Sequence, residues 1–167
     1  MSDDRSGVAE AIEAALRDQE LEFERPAPET FVVALPGEKR LKTACWLTIG
    51  THALEIQAFV MRRPDENHER VYEFLLQRNT RMYAVAWAID STGDVYLTGR
   101  VPLSSITADE LDRILGSVLS YADGAFNQLL ELGFASSIRR EWAWRVKTGQ
   151  SLANLAAFAD FAQRPVD

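Results

Sequence analysis

Three features of the 167-residue chain predict an α+β fold of two layers. Runs of strand period come in hairpin-like groups, a helical segment separates the groups, and a long apolar stripe of helical period follows them. No internal repeat, low-complexity tract or long linker interrupts the pattern. The prediction is an antiparallel sheet of about five strands packed against helices, in the order α-β-β-β-α-β-β-α with a C-terminal helical extension. Residues 1–147 are expected to form the domain and residues 148–167 a helical tail.

Residues 6–17 place Val8, Ile12, Ala15 and Leu16 on one helical face. ERPAPE then reads as a two-proline break, and FVVAL (31–35) as a strand closed by the Pro36-Gly37 turn signal. LKTACWLTI (41–49) alternates Leu41, Thr43, Cys45, Leu47 and Ile49 with Lys42, Ala44, Trp46 and Thr48, and pairs across Gly50-Thr51-His52 with ALEIQAFVM (53–61). A helix is expected over 65–78, then a second hairpin from MYAVAWAI (82–89) and VYLTGRV (95–101). In ITADEL (106–111) Thr107 caps a helix, Glu110 reaches back, and Ile106 and Leu111 form a hydrophobic staple. The stripe from Leu111 to Leu130, ended by Gly133, makes this the longest helix expected. Two shorter helices, 136–146 and 151–163, complete the chain.

A domain of this length buries roughly 70% of its unfolded surface, so a full core needs no staples. Cys45 is the only cysteine, which excludes an internal disulfide and any multi-cysteine metal site. Its place in mid-strand reads as a small buried hydrophobe. The net charge of −7 argues against non-specific nucleic-acid binding, which needs a positive face. The acidity sits at one end: residues 1–30 hold nine acids against three arginines, whereas residues 31–147 balance at 14 acids and 14 bases. A solvated face or an acidic docking surface follows. No apolar run is long enough for a membrane span, and the first residues lack the basic and apolar regions of a secretory signal, so a cytoplasmic location is expected.

Candidate chemistry concentrates in RPDENHERVYEFLLQRN (63–79). On a helix Asp65, His68 and Glu69 share a flank, the geometry of a metal or acid/base centre. A di-iron site needs a second such unit, and the H-E-x-x-H zinc motif needs histidine where Tyr72 stands. Helix capping accounts for the cluster more simply: Asp65 as N-cap, His68 at N3, and acids beside the positive helix end. With two histidines, no G-x-S-x-G elbow and no glycine-rich phosphate loop, no catalytic set, cofactor or metal is assigned. Arg139 and Arg145 flank Trp142 and Trp144, the residue types that dominate binding hot spots. Together with Phe158 and Phe161 they form a candidate partner interface. A small-ligand pocket between sheet and long helix, lined by Trp46, Trp87 or Phe126, is an alternative.

The ordered series FVVALPGE, AFVMRRPDENHERVYEFLLQRN, AIDSTGDVYLTGRVPL, ELDRILGSVL and LLELGF-x3-IRREWAWR resembles the YbjN family of bacterial sensory transduction regulators, across about residues 8–145. The resemblance implies a fold similar to type III secretion chaperones, and with it a non-enzymatic regulator or adaptor that binds protein segments, often as a homodimer. It supplies no catalytic residues. The tail lies outside the matching region and is expected to cover the sheet or to exchange between subunits.

Overall fold

The computed structural model describes residues 2–166. Helix α1 (Ser2–Asp18) leads into four consecutive strands, β1 (Glu22–Ala27), β2 (Thr30–Pro36), β3 (Lys42–Ile49) and β4 (Ala53–Met61). Helix α2 (His68–Asn79) precedes β5 (Ala86–Ile89) and β6 (Val95–Pro102), and α3 (Ala108–Gly133) follows. The chain ends in α4 (Ala135–Thr148), a 3₁₀ segment (Ala153–Phe158) and α5 (Ala159–Gln163). The six strands form one antiparallel sheet in the order β1-β2-β3-β4-β6-β5. The fold class is the α+β arrangement expected, with one strand more.

The extra strand is β1, which occupies the proline-containing stretch read as a break. Proline lacks an amide hydrogen and is excluded from central strands, but an edge strand tolerates it at a bulge. The β1–β2 register shifts between Glu24 and Ala27, which places Pro26 at that irregularity. Phe23 packs near Phe31 with ring centroids 6.2 Å apart. Arg25 ties the edge to α1 through Glu13 at 2.5 Å and covers the Phe31 ring at 5.0 Å. Hydrogen bonds from Arg17 and Arg25 hold the Glu13 carboxyl below the usual carboxylate range. Part of the acidic end is therefore internally paired.

Alternation sorts the sheet into two faces. In register, Phe31, Leu47 and Ile56 form one inward row, and Val33, Cys45, Ala58, Leu97 and Trp87 form the next. All are buried. They meet Ile12 and Leu16 of α1 and Leu111, Ile114, Leu115, Val118, Ala122 and Leu129 of α3 in one hydrophobic core. The 26-residue α3 is the longest helix, and Thr107 caps it by accepting the Glu110 amide at 3.1 Å. The Glu110 carboxylate does not close the capping box: it binds Arg113 at 2.9 Å and accepts the Tyr83 hydroxyl.

Strand β5 starts at Ala86, four residues later than the alternation in MYAVAWAI suggests. Ala84 adopts a left-handed φ of 61°, and the Val85 amide donates to the Tyr83 carbonyl at 2.7 Å. This tight turn carries the Ala84 carbonyl against β6, where only glycine fits: a Cβ on Gly99 would lie 2.1 Å from that oxygen. Gly99→Ala should therefore destabilise the fold by about 1–3 kcal/mol, read as a lower urea midpoint with an unchanged slope. An unchanged midpoint would show that the Ala84 turn yields freely.

Candidate functional site

The polar stretch before α2 acts on a distant junction. Helix α2 begins at His68, with Asn67 at its N-cap in a left-handed conformation and without a side-chain cap bond, so Asp65 is not the cap and His68 is not at N3. The backbone amides of Asp65 and Glu66 both donate to the Gly133 carbonyl, at 2.9 and 3.2 Å. The Asn67 side-chain amide donates to the Leu132 carbonyl at 2.9 Å. Glu66 accepts the Ser136 amide at 2.6 Å and the Ser136 hydroxyl at 2.9 Å, serving as an N-terminal cap for α4 supplied from outside it. The loop is a clamp across the α3–α4 junction.

The three groups singled out from the sequence diverge. Asp65 binds Arg62 at 2.8 Å, and this hydrogen bond holds its carboxyl below the usual range. His68 Nε2 lies 2.7 Å from the Pro64 carbonyl, which can only accept, so this nitrogen carries the proton. Glu69 is exposed in the first turn of α2. Among the described residues, no three His, Cys, Asp or Glu side chains gather as a metal-binding group. Cys45 is buried, and burial pushes its thiol up to about 12, leaving negligible thiolate at neutral pH.

The candidate interface near the C-terminus is partly occupied by the chain itself. Phe158 is buried in the core cluster, and the Arg139 guanidinium sits 4.4 Å from the Phe161 ring centroid. Arg145 binds Glu141 at 2.7 Å and the Ser151 carbonyl at 2.8 Å, pinning the turn after Gly149. The tail thus docks on α3 and α4 and leaves the sheet uncovered. Trp142 is half-buried, and Trp144 stays exposed beside Val146.

The three residues named for a pocket do not share one. Trp87 is buried against α3, Phe126 lies in a separate groove under Arg40, and Trp46 points to the opposite side of the sheet. On that outward face Trp46 is 47% exposed and stands in register between Val32 and Gln57. Ala44 is exposed beside it, and Phe59 and Tyr96 form an edge-to-face pair 5.4 Å apart. The Glu55–Arg100 pair, at 3.2 Å, bounds one end. The alternation of residues 41–49 set Trp46 opposite Cys45 and Leu47, but which of the two sets faces the helices is fixed only by the packing of α3.

Removing the clamp should cost stability locally. Glu66→Ala is expected to lose about 0.5–2 kcal/mol in chemical denaturation and to speed hydrogen exchange at the Ser136 amide, with Glu66→Gln milder. Wild-type exchange at Ser136 in the alanine variant would contradict the capping role.

Comparison with known proteins agrees with this architecture. The YbjN profile, described as "Putative bacterial sensory transduction regulator", matches residues 9–131. An uncharacterized protein of Mycobacterium tuberculosis is 52% identical over 157 residues, covering 91% of this chain and 86% of the relative. An uncharacterized protein of Mycobacterium leprae is 57% identical over 128 residues, covering 77% of this chain and 70% of the relative. Among solved structures, a chain of the HopA1–SchA chaperone–effector complex aligns with a TM-score of 0.54 at 13% identity, covering 74% of this chain and 95% of that one. A chain of the heterodimeric ExoU–SpcU complex from the type III secretion system of Pseudomonas aeruginosa aligns with a TM-score of 0.52 at 17% identity, covering 71% and 94%. These two show a shared fold. The profile match, over more than half of the chain, goes further: the chain belongs to the YbjN family.

Proposed function

We propose that the protein is a non-enzymatic adaptor, acting in the cytoplasm, that holds an extended, apolar segment of a protein partner on the uncovered face of its sheet. The observation that carries this reading is Trp46, half-exposed at the centre of that face. An antiparallel sheet with one solvated face ordinarily shows polar residues there. Here the outward positions of neighbouring strands set Val32, Ala44, Trp46, Phe59 and Tyr96 among Lys42, Thr48, Glu55, Gln57, Thr98 and Arg100, so that an apolar strip with Trp46 in it runs through a polar surround.

Tryptophan is enriched among the few residues that dominate binding energy. Covering the exposed half of Trp46, roughly 100 Å², contributes about 2–3 kcal/mol. The similarity to chains from chaperone–effector complexes supports the same reading by analogy of fold. Glu55 and Arg100 at the rim supply charges that orient the segment without adding much affinity. Trp144, on the helical layer, is the competing anchor.

Affinity capture from the native cell, followed by identification of the bound protein, supplies the assay. Trp46→Glu should reduce retention of that protein at least about tenfold, because it places a charge where an apolar contact forms. Its thermal midpoint should stay near that of the native protein, since the side chain is outside the core. Trp144→Ala should retain the partner. The reverse pattern would move the interface to α4.

A further inference from the structure

A second concavity lies on the other layer, where α2 ends against α3. It measures about 460 Å³, within the range of small-molecule sites. Its floor is apolar: Met82, Trp87 and Ala125 line it, and Trp87 and Ala125 are buried at 5% exposure each. The Asn79 side-chain amide holds both backbone groups of Trp87, donating to its carbonyl at 3.2 Å and accepting its amide at 2.7 Å. The Trp87 ring lines the cavity. One wall is open because Gly124 stands there, and a Cβ on it would meet nothing within 4 Å.

The rim is cationic. The Arg81 amide bonds the Arg78 carbonyl at 3.1 Å in the turn that ends α2, so both arginines border the same opening. Arg78 is held in place, stacked on the Phe74 ring and bonded to Gln128 at 3.2 Å. Among the described residues no carboxylate lines the cavity, in a chain whose net charge is −7. Two guanidinium groups above an apolar floor match one kind of ligand.

We propose that this cavity binds a small aromatic anion, its ring on Met82 and Trp87 and its carboxylate or phosphate ester between Arg78 and Arg81. The site is separate from the sheet face and independent of any protein partner. Its occupant bridges the end of α2 and the middle of α3, so binding stiffens the loop from Thr80 to Val85.

Titration of the full chain, ¹⁵N-labelled, with 2-naphthoate, 2-naphthyl phosphate and neutral 2-naphthamide tests this. At least one anion should give saturable shifts at the Trp87 indole and the Gly124 amide, and bind at least about tenfold tighter than the amide. Arg81→Gln should weaken the anion about tenfold and leave the amide unchanged. Gly124→Leu, which fills the wall from an exposed helical position, should abolish binding with the fold intact by thermal melt. Equal affinity for anion and amide, absence of saturable shifts at these two sites, or undiminished binding by Gly124→Leu would each overturn the proposal.

Discussion

Helix α3 buries its apolar stripe against a single side of the sheet, and that contact decides what every strand residue does. Leu111, Ile114, Val118, Ala122 and Leu129 share one core with the inward rows centred on Leu47, Ile56 and Ala58. Because side chains alternate along a strand, fixing one row inward fixes its neighbours outward, and a one-residue slip would exchange the two sets. Trp46 is exposed for this reason. It lies between Cys45 and Leu47, both fully buried. The uncovered face is thus a consequence of the core, and the half-exposed Trp46 is what distinguishes it from an ordinary solvated face.

The layer of helices is held by contacts of long reach. The Gly133 carbonyl, at the end of α3, is taken up by the amides of Asp65 and Glu66, while the Glu66 carboxylate caps α4 through Ser136. Pro64 is buried against Gly133, where an added Cβ would approach its ring to 3.0 Å. A stretch dense in ionisable groups therefore does structural work on a junction some seventy residues away in sequence. The tail extends this layer through Phe158 and the Arg139–Phe161 stack. It adds cover to α3 and α4, and Trp46 on the outward face of the sheet stays half-exposed.

Much of this was legible in residue order. The alternation in 41–49 and 53–61, the stripe of α3 and its Thr107 cap all survive in the structure, because each is a local pattern that a single burial event enforces. The misses have physical causes. Pro26 hid β1 because an edge strand tolerates what a central one rejects. Ala84 shortened β5 because its turn depends on the space left by Gly99 across the sheet. Asp65 looked like a cap because spacing cannot show that Arg62 engages its carboxylate or that Glu66 serves another helix. For the candidate interface, residue type pointed to Trp and Arg near the C-terminus, whereas the exposure of Trp46 emerges only once the helices are seen to share one side.

The central claim is that a protein segment lies on the outward face of the sheet. Side-chain oxidation footprinting, comparing the free protein with its captured complex, reads this directly. The account predicts that Trp46, Phe59 and Tyr96 become protected in the complex while Trp144 oxidises as before. Unchanged oxidation of Trp46 with protection confined to Trp144 would contradict it.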